Sequence, residues 1–432
     1  MNCLSIIERL FFNFVFKFFI MNVGIDSISF DIPKIYLPIS SLAIHRGIEP
    51  EKLTKGLGLQ KMSFPDANQD VVTFAANAAL KLILQEDCNP TTISRIYIGS
   101  ESGVDSSKPI ASYVLNLLEN KLGQGSFRNC DVVDMTFACI GAVDALQNCL
   151  DYVRLNPTKK AIVIATDNAK YDLNSTGEYT QGAGAIAMLI SSNPRILRFS
   201  NEVGVSTEGV FDFFKPRRYF LKEEITKKND NPEWLNVLEN EVAIYKEQPV
   251  FDGQYSNECY INRITEAYEH YKKESQQNET IFNNWELILM HLPYCFQGRR
   301  TFIEIFAKEN PELLNKQEGA SIKDKMKALS KSLEYLDLVK NKILFEETLD
   351  KNLVLTGHET FQCRSLWLKK GYDFIKSGKK FKDLDSVVFL GVGKNMFNSI
   401  KYWAEISGLV PLLDRDNNKQ NYKTAIIEIF AK

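Results

Sequence analysis

The feature that most restricts the fold of this chain is a set of short, unbroken apolar runs set between helix-length segments. Residues 95–100 (RIYIGS), 131–137 (DVVDMTF), 161–166 (AIVIAT) and 185–190 (AIAMLI) are β-branched or continuously apolar. Runs of that kind predict strands buried on both faces. Between them, residues 69–84 (QDVVTFAANAALKLIL) and 142–153 place apolar side chains three and four residues apart, the period of a helix with one buried face. Strands alternating with helices predict a layered α/β protein.

Beyond residue 200 the theme returns in weaker form. Residues 287–290 (LILM) and 387–390 (VVFL) are strand candidates, while residues 227–232, 272–280 and 309–327 are charged and predict surface loops or exposed helices. A chain of 432 residues is long enough for two core-forming units. No short repeat and no Pro- or Ser-rich linker divides it, so the expectation is one body in two parts, residues 21–200 and 201–432. Residues 1–20 stand apart. Their aromatic run (LFFNFVFKFFIM to Met21) is broken by Asn13 and Lys17 and falls short of the ~20 apolar residues that span a bilayer. It has no small-residue cleavage site behind it, and strand-like alternation begins only at Met21, so it reads as an extension or a misassigned start.

Charge narrows the partners. A formal net charge of −2 creates no field that would gather nucleic acid or an anionic membrane, although local basic groups can still grip phosphates. None of the eight cysteines is spaced as CxxC, which predicts reduced thiols in a cytoplasmic protein.

Chemistry concentrates at four places. In Phe137-Ala138-Cys139-Ile140-Gly141-Ala142 a strand-like run meets a helix-like one, which puts Cys139 near a helix N-terminus, where unpaired N–H groups and the helix dipole favour a thiolate. The same pattern also describes a buried cysteine in a packed turn. In Gly99-Ser100-Glu101-Ser102-Gly103 a carboxylate follows an apolar strand directly. Beside an apolar wall it would suit proton transfer to and from carbon, or it caps a loop. Asp105, three residues before Lys108, fits an ordinary helix start. His291 follows LILM and can donate a hydrogen bond to a ketone oxygen or protonate an alkoxide, and it equally fits a turn histidine with a backbone partner. The small-residue turns 181–185 (QGAGA) and 391–393 (GVG) would let substrate approach the backbone, but neither has dinucleotide-binding spacing. A cysteine, a histidine and a carboxylate, each at a strand end, imply acyl transfer.

Taken in order, the segments resemble the hydroxymethylglutaryl-CoA synthase family over nearly the whole chain from Met21. The motifs are SESGVDSSK (100–108), FACIGAVDAL (137–146), TDNAKYDLNSTGEYTQGAGAIAMLI (166–190), GVFDFFKP (209–216), PVFDGQYSNECY (249–260) and HLPYCFQGRR (291–300). The resemblance implies a five-layered thiolase-like fold made of two similar halves, in a cytoplasmic homodimer. It implies that Cys139 takes acetyl from acetyl-CoA, that Glu101 removes a proton from the acetyl methyl, and that His291 binds acetoacetyl-CoA and polarises its ketone. Tyr171, Asp252 and Ser256 fall in matched motifs as pocket residues, or as packing and turn residues. CoA thioesters enter as substrates, and no metal or other cofactor is implied.

Three departures bear on the acceptor. Where the family usually carries a lysine for the CoA phosphates this chain has Phe296, although Arg299 and Arg300 remain basic. The family's GNxYT segment appears as Thr356-Gly357-His358-Glu359-Thr360, where His358 is a candidate to replace the asparagine. The late SYGSG turn is reduced to Leu390-Gly391-Val392-Gly393-Lys394. Three functions therefore follow from the resemblance: the acetoacetyl-CoA condensation of the mevalonate route, a polyketide β-branching condensation on an acyl carrier protein, or thioester binding by a paralogue without turnover.

Overall fold

The structure is a computed structural model that describes residues 22–226, 241–245, 247–276, 285, 288–294, 297–315, 321–332, 335–336, 339 and 374. The chain divides into two compact units, Met1–Lys342 with Ile426–Lys432, and Ile343–Ala425, and every element described below belongs to the first.

β1 (Val23–Asp31) leads into a small hairpin of β2 (Ile35–Pro38) and β3 (Lys61–Phe64), with the short helices α1 (Ile39–His45) and α2 (Pro50–Thr54) between its strands. Then come α3 (Val71–Gln85), β4 (Ile93–Gly99), α4 (Ile110–Leu122), β5 (Asp131–Met135), α5 (Gly141–Leu155), β6 (Lys160–Ala169), β7 (Gly182–Ser192) and β8 (Leu197–Phe199). Six strands form one sheet in the order β5-β4-β6-β7-β1-β8. β4 runs parallel to both β5 and β6, while the β6–β7, β7–β1 and β1–β8 pairs are antiparallel.

The four apolar runs are the four strands expected of them, and the two periodic stretches are α3 and α5. Alternate residues of one strand enter opposite cores. Ile96 and Ile98 of β4, with Ile162 and Ile164 of β6, pack on the face covered by α3 and α4. Tyr97, Ala161 and Val163 point to the other face, against Ala145, Cys149 and Val153 of α5. Period-two alternation with both faces covered makes a sequence look uniformly apolar. Helix–sheet–helix layering follows.

Two local expectations resolve differently. Asp105 does not begin a helix. Its Oδ1 accepts the N–H groups of Ser107 and Lys108 in a turn, and α4 starts five residues later at Ile110. The carboxylate at the α4 N-terminus is Asp134 of β5, which accepts from Ile110 N and Ala111 N. The cap comes from a neighbouring strand, so local sequence has no trace of it.

The rest of the described chain is built from smaller pieces. β9 (Phe213–Phe214) pairs with β12 (Val250–Phe251), and β10 (Arg217–Leu221), which leads into α6 (Lys222–Thr226), pairs with β11 (Glu241–Tyr245). α7 (Gly253–Glu274) and α8 (Gln297–Glu309) follow. Residues 288–290 contain a bridge position at Ile288 and no extended strand, although Ile288 and Met290 are buried as expected of LILM. Residues 1–20, 387–390, Phe296 and His358 lie outside the described residues. No helix among those described is long and apolar enough to cross a membrane.

Candidate active site

Two glycines decide where the site forms. A Cβ on Gly99, the last residue of β4, would stand 2.0 Å from Ala142 N, and one on Gly141, the first of α5, would stand 2.4 Å from Met135 O. Backbone cannot yield by such amounts, so the end of β4 and the start of α5 touch because neither carries a side chain there. The chain then runs on from Gly99 through Ser100 to Glu101, and Cys139 lies two residues before Gly141. Both line one cavity of about 80 Å³. A single water needs roughly 10–15 Å³ on the same measure, so the space suits a short acyl group.

Cys139 sits in a tight turn after β5. Ile140 N and Gly141 N both donate to Phe137 O, at 3.0 and 3.1 Å, and Ala138 is held at φ +39°. That left-handed conformation costs a residue with a Cβ roughly 1–2 kcal/mol, and it turns the chain sharply from strand to helix. The thiol is half-buried beside the first turn of α5, where the helix dipole favours negative charge.

Glu101 is held from several sides. Its side chain is 9% exposed, and Oε2 is buried with no hydrogen-bond partner among the described residues. Its N–H donates to Asp167 Oδ1 at 2.9 Å, and the same oxygen accepts from Ser100 Oγ at 3.1 Å and Ser102 Oγ at 3.0 Å. On the other side, Lys215 Nζ donates to the Glu101 carbonyl at 3.0 Å and lies 3.9 Å from its Oε1. Burial, and next the charge of Glu101, push the Asp167 carboxyl up to about 7, against the opposing pull of the hydrogen bonds it accepts.

His291 reaches the same cavity from a distant part of the chain. Its backbone carbonyl accepts the hydroxyl of Tyr260 on α7, and the two rings lie 6.2 Å apart. α7 is in turn fixed by Asp252, whose Oδ1 accepts from Gln254 N and Tyr255 N, each at 3.0 Å.

The other sequence candidates are placed as follows. Asp252 is the cap of α7, and Ser256 is half-buried in its first turns. Tyr171 is buried edge-on to Phe251 at 5.5 Å, with its N–H donated to Gln181 Oε1 at 2.8 Å. None of the three lines the cavity, whereas Ala183, Gly184 and Ala185 of the small-residue turn do. Arg299 and Arg300 belong to α8, and His358 is outside the described residues.

Asp167 and Lys215 escaped the sequence reading. Asp167 follows the apolar run AIVIAT just as Glu101 follows RIYIG, so the same rule would have found it. Lys215 stands in the motif GVFDFFKP, but its relation to Glu101 exists only in three dimensions.

Comparison with known proteins bears on this arrangement directly. Residues 19–195 match the family model of the hydroxymethylglutaryl-coenzyme A synthase N terminal region, and residues 242–374 that of its C terminal region. Residues 355–431 match a separate family, described as a protein of unknown function (DUF4007). The hydroxymethylglutaryl-CoA synthase of Enterococcus faecalis is 34% identical over 283 residues, covering 66% of this chain and 64% of that protein. The one from Haloferax volcanii is 36% identical over 276 residues, covering 63% and 55%. The chain thus spans less than two thirds of the length of either relative. A solved structure of MvaS in complex with 3-hydroxy-3-methylglutaryl coenzyme A superposes with a TM-score of 0.60 at 27% identity, covering 74% of this chain and 70% of that one. An HMG-CoA synthase complexed with CoA gives 0.55 at 28%, covering 74% and 76%. These neighbours give the chain a thiolase-like fold. With both regional models matched in order and Cys139, Glu101 and His291 gathered at one cavity, the chain belongs to the hydroxymethylglutaryl-CoA synthase family.

Proposed function

We propose that this protein is an acyl-condensing enzyme that joins acetyl-CoA to a β-ketoacyl thioester, acetoacetyl-CoA being the first choice of acceptor. One observation carries the reading: a cysteine, a carboxylate and a histidine from three separate parts of the chain line a single acyl-sized cavity. The Cys139 thiolate attacks the acetyl carbonyl, forming the enzyme thioester and releasing CoA thiol. Glu101 then takes a proton from the acetyl methyl, and the resulting carbanion adds to the ketone carbon of the acceptor. His291 hydrogen-bonds the ketone oxygen and supplies the proton that the new alkoxide needs. Water hydrolyses the thioester, freeing Cys139 and releasing HMG-CoA. Backbone N–H groups, that of Cys139 among them, stabilise the oxyanions. The steps are acyl transfer, proton transfer, carbanion addition to a ketone and hydrolysis, and none of them changes the overall redox level.

A second acceptor, an acyl-carrier-protein thioester, is favoured by Phe296, which stands where the family usually has a lysine for CoA phosphates. A homodimer is supported by the outer edge of β5, which has no paired strand among the described residues, and by exposed Phe137, Ile140 and Val143 just beyond it. A reducing cytoplasm would keep Cys139 reactive, and the product is the one that the mevalonate route consumes.

The test begins with intact-mass measurement after incubation with acetyl-CoA. One acetyl adduct is expected, absent in Cys139→Ala. Acetoacetyl-CoA or acetoacetyl carrier protein is then offered in a single turnover. Glu101→Gln should accept acetyl and fail to condense it, with a loss of ~10²–10⁴-fold. An adduct of equal yield in Cys139→Ala would refute the nucleophile. A wild-type adduct that neither acceptor discharges would leave a thioester-binding paralogue.

A further inference from the structure

Lys215 is the unexplained group at this site. It follows β9 directly, and β9 is held by its pairing with β12, where Phe214 faces Val250 and Phe213 faces Phe251. From there its ammonium reaches the Glu101 carbonyl at 3.0 Å, with Glu101 Oε1 at 3.9 Å, and its side chain is only 19% exposed. The backbone of Glu101 is therefore held at two points: Asp167 accepts its N–H, and the Lys215 cation donates to its C=O. Charge-assisted bonds of this kind are about twice as strong as neutral ones. A lysine placed only to brace a loop gains nothing from facing a nearly buried carboxylate, and the geometry here does both.

We propose that Lys215 is a positioning residue for condensation. It fixes Glu101 from the side opposite Asp167 and sets one positive charge against that pair of carboxyl groups. The proposal rests on the functional reading above, in which Glu101 moves the proton. Five described groups bear on the site's pH dependence. They are Glu101 after β4, Asp167 of β6, Cys139 before α5, His291 after Met290, and Lys215 after β9. Burial and the charge of Glu101 raise the Asp167 carboxyl. A positive charge beside Glu101 offsets that repulsion, so removing the lysine moves the release of the Asp167 proton to higher pH.

Acetylation and condensation are to be measured separately across pH 5–9 for the wild type and for Lys215→Met, Lys215→Gln and Lys215→Arg. Lys215→Met should accept acetyl at nearly the wild-type rate and condense at least about tenfold more slowly at neutral pH, the acid limb of its profile lying at higher pH. Lys215→Gln retains a donor for the Glu101 carbonyl. It should share the displaced limb while losing less rate at high pH, and it carries the test if the Met variant does not fold. Lys215→Arg should restore both rate and profile. Wild-type condensation rates and an unmoved limb in both neutral variants would overturn the proposal alone. So would acetylation and condensation falling together without rescue by arginine, which marks a purely structural tie. A wild type that is never acetylated overturns the functional reading itself, and the proposal with it.

Discussion

The site is assembled from two regions that hold their functional groups in different ways. Glu101 and Cys139 follow closely on strands of the six-stranded sheet, where backbone touches backbone at Gly99 and Gly141 and both faces of the strands are buried. His291 belongs to a segment with no extended strand, and Tyr260 of α7 props it through its backbone carbonyl. In the first region, position is a property of the fold: nothing can move without unpacking a core close-packed to roughly crystal density. In the second, position hangs on side-chain contacts each worth about 1 kcal/mol. Glu101 and Cys139 are thus held by the packed sheet, and His291 by contacts from a neighbouring helix.

Changes in each region should separate the two kinds of support. The largest effect is expected from Gly99→Ala. Its methyl would fall 2.0 Å from Ala142 N, so β4 and α5 must part. A loss of roughly 3 kcal/mol or more, at the upper end for overpacking, should appear in chemical denaturation together with loss of Cys139 acetylation. A variant of wild-type stability would show that this contact is softer than the geometry requires.

Asp167→Asn should act next, through pH. Burial raises this carboxyl from its ordinary value of 3.8 to about 7 in the folded protein, so between those pH values the folded state holds a proton that the unfolded chain has released. Stability from this group is therefore present at low pH and is lost as pH rises through that window, at no more than about 1.4 kcal/mol per pH unit. Asn removes the titration. Melting temperatures at pH 5 and pH 7.5 should lie closer together in the variant than in the wild type. An equal or wider gap would mean that Asp167 is ionised throughout.

Tyr260→Phe should have the smallest effect. Losing the hydroxyl that holds the His291 carbonyl is expected to cost about 1 kcal/mol, or roughly fivefold in condensation, with acetylation unchanged. Equal losses in both steps would mean that the two regions are more tightly joined than their contacts imply.

How much of this was legible beforehand depends on whether the cause was local. The strands of residues 95–100, 161–166 and 185–190 showed in sequence because a strand buried on both faces must be apolar at nearly every position. Cys139 and Glu101 showed because each stands where an apolar run stops. Asp134 as the cap of α4 was invisible, since it acts across 23 residues from Ala111, and Asp105 beside the helix offered a plausible local substitute. Asp252 had the motif of a pocket residue and proved to be a helix cap, a role that its place before Gly253-Gln254-Tyr255 also fits.

The sequence by itself determined the layered sheet, the turn that presents Cys139, the carboxylate at the end of β4, and the family that those motifs mark. Each depends on periodicity or on neighbours within a few residues, which a linear chain records. Only the tertiary structure decided that Asp167 and Lys215 would hold the N–H and the C=O of one residue, Glu101, and that Tyr260 would prop His291. Those pairings span 66, 114 and 31 residues. Their energy comes from desolvation and charge placement that exist only once the core has closed.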